Sequence, residues 1–255
     1  MHMKKLIKCL IICLESVLIF IIVGAFTTAV SKQIYSSILI ENFKKNGVYS
    51  EKDSAPNIKV FRIESDEELE AFQRIGNVYY PGATGDILLS LKSEINIPIA
   101  NEIISFFAGG HAALVLGDYQ DALDVSTNLN TLECSGIGED NNLAKLYTKS
   151  YWYGTHPYKE VIGVRVKTTQ QQRNRVVSEA MALIGDQYNY TFITNTEKKS
   201  YCTDIICKAY EKIGINLNKD SFTTSVYDLL VTGETYISYY HYIDTAGIKY
   251  IYYLA

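Results

Sequence analysis

From Cys9 to Val30 the chain is apolar except for Glu15, Ser16 and a few small residues such as Gly24, Thr27 and Thr28. As a helix, about 22 residues reach roughly 33 Å, enough to cross the ~30 Å hydrocarbon core of a bilayer. In lipid a helix satisfies all its backbone polar groups within one segment, so this run predicts a transmembrane helix and obliges the rest of the chain to fold apart from it. The run exceeds the ~7–15-residue core of a cleaved signal peptide, and residues 1–31 read as an uncleaved anchor. Ala29-Val30-Ser31 also has the small-residue spacing a signal peptidase accepts, and cleavage there would release a secreted chain before Lys32. Both fates put the C-terminal part outside the cytoplasm. Lys4, Lys5 and Lys8 precede the span and favour a cytoplasmic N-terminus, a bias weakened by Lys32, Lys44 and Lys45 beyond it.

The remainder has a globular balance, with 47% hydrophobic and 20% charged residues over the whole 255-residue chain. A formal charge of −4 gives no broad basic surface, and no interleaving of aromatic and basic residues accompanies it, so nucleic acid is set aside as a partner. Of five cysteines, Cys9 and Cys13 fall in the apolar run, leaving Cys134, Cys202 and Cys207. Three thiols make no disulfide framework, although a bridge from Cys134 to Cys202 or Cys207 stays open on composition. There is no C-x-x-C pair, and no local spacing brings His111, Cys134 and Cys202 together as ligands, so neither metal nor cofactor is expected. Oligomeric state has no signature here.

Residues 32–75 read as a stalk and lead-in. Asn46-Gly47 and Ser54-Ala55-Pro56-Asn57 are turn material, Lys59 to Ile63 alternates like a short strand, and Ser65 with Glu68 has the capping-box pattern of a helix running toward Ile75. Residues 76–255 carry the denser signals. Asp86 to Ser90 and His111 to Gly117 read as buried strands, joined by a segment with a helix over Ile99 to Phe107. After a hairpin-like excursion through Ala122 to Ser126, Thr131 to Gly136 and Val161 to Lys167 follow as strands. Thr169 and Gln172 open a helix with Val176, Val177, Ala180, Met181 and Ile184 on its apolar face, stopped by Gly185. Beyond a cysteine-bearing helix come a loop with a short helix over residues 216–228, then tyrosine-rich strands at Thr235–Ile243 and Ile248–Tyr253. Mostly antiparallel strands with helices set apart from them define an α+β fold.

The chemistry concentrates in Tyr201-Cys202-Thr203-Asp204-Ile205-Ile206-Cys207. With Ser200 as cap, Cys202 enters the first turn, where free N–H groups and the positive end of the helix dipole suit a thiolate nucleophile. On the helical wheel Cys202 shares a face with Ile205, Ile206, Ala209 and Ile213, so the face that buries the helix also aims the sulfur inward, while Cys207 points elsewhere. A lone cysteine in such a place is more often a small buried hydrophobe than a nucleophile, and His111 alone is more often structural. Asp204 is most simply an acid serving the dipole, and Tyr188, Tyr190 and Tyr201 are packing aromatics. His156 and His241 have no matched partner.

The order Gly85-Asp86-Ile87-Leu88, His111-Ala112-Ala113-Leu114-Val115, Leu132-Glu133, Gly185-Asp186-Gln187-Tyr188-Asn189, Tyr201-Cys202-Thr203-Asp204 resembles the permuted papain-like amidases of the YaeF/YiiX type. These are relatives of the NlpC cell-wall peptidases and of lecithin retinol acyltransferase. The resemblance spans roughly residues 80–230, and Gly110 stands where that family often has a serine. It implies an antiparallel sheet packed against helices, with the histidine on a strand ahead of the cysteine on a helix. Cys202 then falls on the nucleophile, His111 on the base and Glu133 on the residue that orients the histidine, with Asp124 as the rival for that last place. The function implied is a membrane-anchored, extracytoplasmic cysteine hydrolase that cleaves an amide in cell-wall peptide or on a lipid through an acyl-thioester. Two alternatives stand beside it: a lipid acyltransferase or thioesterase on the same fold, and an inactive membrane-tethered binding protein.

Overall fold

The computed structural model describes residues 2–65, 74–75, 78–92, 98–117, 131–136, 142–147, 152, 158–192, 196–219 and 223–255. The expected helix after Ser65, the excursion through Ala122 to Ser126, and the residues Asp124 and His156 lie wholly or largely outside them. In chain order the elements are α1 (His2–Lys45), β1 (Val48–Tyr49), β2 (Ile58–Ile63), β3 (Arg74–Ile75), β4 (Val78–Tyr79), β5 (Ile87–Ser90), α2 (Pro98–Phe107), β6 (His111–Val115) and β7 (Thr131–Cys134). Then follow β8 (Ala144–Tyr147), β9 (Glu160–Val166), α3 (Gln170–Met181), β10 (Gln187–Tyr188), β11 (Lys199–Ser200), α4 (Cys202–Glu211), α5 (Val226–Val231), β12 (Thr235–Ile243) and β13 (Lys249–Leu254).

Nine strands form one mixed sheet in the order β1-β2-β13-β12-β9-β5-β6-β7-β8. Every neighbouring pair is antiparallel except β2 with β13. Strands β5 to β8 are sequential neighbours, and the chain then returns to lay β9 on the far side of β5. The strand β8 has no counterpart in the sequence reading, because Ala144-Lys145-Leu146-Tyr147 is short and half polar.

The central strands are apolar on both faces because both are covered. On one side Ile87, Leu89, Ala112, Leu114, Ile162 and Val164 pack with Val176 and Ala180 of α3 and Ile205, Ile206 and Ala209 of α4. On the other, Leu88, Ala113, Val115 and Val161 pack with Tyr80 and Trp152. Two-sided burial produces unbroken runs such as Ile87-Leu88-Leu89 rather than alternation. The helix α3 has the capping box of Thr169 and Gln172, but only Val176 and Ala180 of its expected apolar face are buried; Met181 and Ile184 are 43% and 40% exposed.

At the start of β5, Asp86 accepts hydrogen bonds from Arg165 on β9, Nε to Oδ1 at 2.8 Å and Nη2 to Oδ2 at 2.9 Å, with both residues buried. The Ala83 N–H also donates to Asp86 Oδ2 at 2.8 Å. Gly85 turns the chain there at φ +82°, and its carbonyl accepts the Tyr210 hydroxyl of α4 at 2.5 Å, which ties helix to sheet.

Helix α1 is 44 residues long, about 66 Å at ~1.5 Å per residue. Among the described residues it is the one helix long and apolar enough to cross a membrane, and residues 10–28 are exposed along its length. Within residues 32–75, α1 runs on to Lys45 and packs on α5, β12 and α2, burying Ser36 and Ile40. Lys32 reaches Asp228 of α5, Nζ to Oδ1 at 2.5 Å. Strand β2 then pairs along its whole length with β13.

Asp86→Ala strands the Arg165 guanidinium, which cannot give up its proton, in a buried site. We expect it to cost about 3–5 kcal/mol of stability, measured by denaturant unfolding of the detergent-solubilised chain beside the parent.

Candidate active site

His111 opens β6 opposite Ser90 of β5, and Glu133 lies on the adjacent strand β7. Side chains on neighbouring strands that face the same way are within reach of each other. Glu133 Oε2 and His111 Nε2 stand 2.8 Å apart. The other carboxylate oxygen accepts Thr131 Oγ1 at 2.5 Å and Trp152 Nε1 at 3.0 Å. Trp152 also lies nearly parallel to the imidazole, with ring centroids 6.0 Å apart. The ring is thus held by its edge and by its face.

Gly110 sets the backbone ahead of the histidine. Its N–H donates to Ser90 O at 2.9 Å, and a Cβ placed there would stand 2.1 Å from the Lys92 carbonyl oxygen, so the position takes only glycine as the backbone stands.

Cys202 is the first residue of α4, and the capping residue is Tyr201, not the expected Ser200. Tyr201 caps through its backbone alone, while Ser200 is engaged elsewhere: its hydroxyl donates to Asp186 Oδ2 at 2.9 Å and accepts from Lys208 Nζ at 3.0 Å. The consequence for Cys202 is the same, since the first N–H groups of a helix have no partner within it. The entry to α4 is fastened on two sides. Parallel pairing of Gln187 with Lys199 and Tyr188 with Ser200 gives the Gly185-to-Asn189 motif its structural role. From the opposite direction Thr203 Oγ1 donates to Thr224 O at 2.6 Å, and the Thr224 N–H donates to Tyr201 Oη at 2.9 Å.

The structure brings Cys202, His111 and Glu133 together: the His111 ring meets the Glu133 carboxylate at 2.8 Å, and Cys202 lies close enough to the imidazole to raise its pKa. With Nε2 taken by the carboxylate, Nδ1 is the nitrogen left for the sulfur. Burial works against a charged imidazole, but the hydrogen bonds to Cys202 and Glu133, with the charges of both, prevail and raise His111 to about 10. Glu133 is held below its ordinary value: burial opposes this, and the bonds from His111, Thr131 and Trp152 overcome it.

The other cysteines differ. Burial pushes both the Cys134 and Cys207 thiols up to about 12, and Cys134 donates to Ser200 O at 3.0 Å. Cys134, Cys202 and Cys207 are all free thiols, so the bridge left open on composition is not formed. His241 is buried between the Tyr239 hydroxyl and the Tyr158 carbonyl, and burial lowers its pKa well below the ordinary value. It stands apart from this constellation as a neutral core residue. Among the described residues no group of three or more His, Cys, Asp or Glu side chains could hold a metal ion. Thr131 and Trp152 went unread in the sequence. Thr131 sits two positions before Glu133 on the same strand face, a spacing that could have flagged it, whereas Trp152 is isolated in the chain and gave no signal.

A mixed sheet with an inner strand that begins with a histidine, packed against a helix that begins with a cysteine, defines the papain-like class in permuted order. The chain belongs to the family described as permuted papain-like amidase enzymes, YaeF/YiiX, C92 family, which it matches over residues 82–229. The chemistry of that family is amide hydrolysis. A similar solved structure is that of the metalloprotein YiiX from Escherichia coli O157:H7, at 17% identity and a TM-score of 0.38, covering 55% of this chain and 71% of that one. No curated protein matches the chain.

The raised His111 pKa has a sign that stability can report. A histidine protonated up to about 10 when folded, against an ordinary 6.5, contributes stability that is fully present below pH 6.5 and is lost as pH rises to about 10. We expect the parent chain to lose stability over that interval relative to His111→Gln, with the two parallel below it; urea unfolding at a series of pH values measures this.

Proposed function

We propose that this protein is a membrane-anchored, extracytoplasmic cysteine amidase, with Cys202 as nucleophile, His111 as acid and base, and Glu133 as the residue that orients the imidazole. The observation that carries the reading is the shared ring: one imidazole 2.8 Å from a buried carboxylate, its pKa raised by that carboxylate and by a cysteine at a helix start. Membership of an amidase family supports the reaction type, and the apolar run of α1 supports the anchor.

In this reaction the Cys202 thiolate attacks the amide carbonyl carbon and forms a C–S bond. The developing oxyanion is met by the Cys202 backbone N–H at the helix start, where free donors and the dipole coincide. As the tetrahedral adduct collapses, the C–N bond breaks and His111 gives its proton to the departing amine, leaving an acyl-thioester. Water then attacks that thioester, His111 takes a proton from it, and acid and enzyme are released. Glu133 stays ionised throughout, fixing the tautomer and favouring the imidazolium. The substrate class consistent with an outward domain on a membrane anchor is an amide of cell-wall peptide or one carried on a lipid.

Cys202→Ala is expected to abolish amide hydrolysis, and His111→Ala to lower kcat by about 10²–10⁴-fold, measured on purified full-length protein. A chloroacetamide probe should label Cys202 faster than Cys207, whose thiol burial pushes up to about 12. Equal labelling, or full turnover by Cys202→Ala, would overturn the assignment. Acyl transfer to a lipid acceptor with no hydrolysis product would favour the acyltransferase instead.

A further inference from the structure

The helix α2 carries an apolar stripe with none of the described residues over it: Ile99, Ile103 and Phe107, spaced by four along one face, are 76%, 55% and 47% exposed. Its inner side is committed. Phe106 stacks on Phe26 of α1 with ring centroids 5.2 Å apart, Gln33 Nε2 donates to Phe106 O at 2.7 Å, and Ser105 O accepts the Tyr227 hydroxyl at 3.0 Å. Between α1 and α2 runs a groove of about 640 Å³, with Phe26, Ile103 and Phe107 in its walls beside Glu41, Glu102 and Glu160, and none of Cys202, His111 or Glu133 lines it.

Where Phe26 lies fixes what covers the stripe. It is four residues inside the end of the apolar run at Val30, about 6 Å along the helix axis. The run exceeds the hydrocarbon core by only about 3 Å, so a spanning α1 cannot withdraw Phe26 from lipid without drawing Lys8 in. A helix stacked on Phe26 therefore sits at the depth of about 5–10 Å that in-plane interfacial helices occupy. We infer that α2 is a second membrane contact, an in-plane helix whose Ile99, Ile103 and Phe107 lie in the lipid of the leaflet where α1 emerges. This rests on α1 as the anchor. Ala108, Gly109 and Gly110 alone separate α2 from His111, so Phe107 and His111 are at most about 14 Å apart along the chain. The candidate site therefore works at the bilayer surface.

The test uses full-length protein in phosphatidylcholine–phosphatidylglycerol vesicles, with and without bromine on the acyl chains. The single native tryptophan, Trp152, is 1% exposed and provides a constant background. In brominated vesicles the emission added by Ile103→Trp is expected to fall by about half, as for a residue in the acyl boundary, while that added by Leu146→Trp on β8 is unchanged. Ile99→Trp gives the same reading should Ile103→Trp fail to fold. Phe20→Trp, within the apolar run, separates the two claims: its quenching beside an unquenched Ile103→Trp overturns the α2 contact alone, and failure of both overturns the anchor as well. Cross-linking of α2 to α2 between two copies, without quenching, would assign the stripe to a dimer and likewise overturn the inference.

Discussion

A carboxylate with almost no solvent contact is tolerated only if its charge is answered, and Glu133 is answered on both oxygens: by His111 on one, by Thr131 and Trp152 on the other. Its ionisation and the imidazolium's are one balance: His111 is the largest influence favouring the Glu133 carboxylate, and Glu133 follows Cys202 in favouring the imidazolium. The ring cannot turn without leaving Glu133 uncompensated. That restriction presents the remaining ring nitrogen to Cys202. The orientation of the thiol partner is thus set by electrostatics two residues removed from the sulfur.

The same hairpin is pinned at its other end. Asp86 and Arg165 form a buried pair where β5 begins and β6 ends, with Gly85 and Asp86 exchanging backbone hydrogen bonds with Val115. His111 and Glu133 form the second pair where β6 begins. Between them lies a wholly apolar stretch, Leu88 and Leu89 against Ala112 and Ala113. Burial of both faces fixes the register of this pair, and each charge pair ties it to the strand outside it, Asp86 to β9 and His111 to β7. The strand that carries the histidine is held by chemistry at both limits and by packing in the middle.

How much of this the sequence discloses depends on the range of the interaction. The strand at Ile87–Ser90, the helix at Pro98–Phe107 and the capping box of Thr169 are written in local pattern, and the structure has them there. The meeting of Cys202 with His111 came only from the order of motifs, because nothing local links a helix start to a distant strand. Arg165 was invisible as a partner of Asp86: on a strand read as alternating, it occupied what looks like a polar face, and only two-sided burial makes it a core residue. Ser200 misled for a related reason. Serine is a favoured cap, but Asp186 and Lys208 compete for its hydroxyl, and a tertiary contact outbids the local one. The continuation of α1 past the apolar run to Lys45 has no local signature, because the helix there packs on α5 and β12, elements far along the chain.

That continuation changes what an anchor can do. A flexible stalk would let a domain sample a hemisphere above the bilayer, its reach growing with the square root of linker length. Here the first polar contacts with the domain, at Lys32 and Gln33, follow the apolar run by two and three residues on an unbroken helix. From Lys32 the connections run through Asp228 and its capping partner Ser225 to Thr224, which holds Thr203 and Tyr201 on either side of Cys202. With α1 in a bilayer, every link in that path is a direct bond between ordered side chains or backbone, so the sulfur keeps one height and one attitude relative to the lipid. On the proposed anchor, a hydrolase built this way trades range for orientation and is spared the entropy of tether ordering at each encounter.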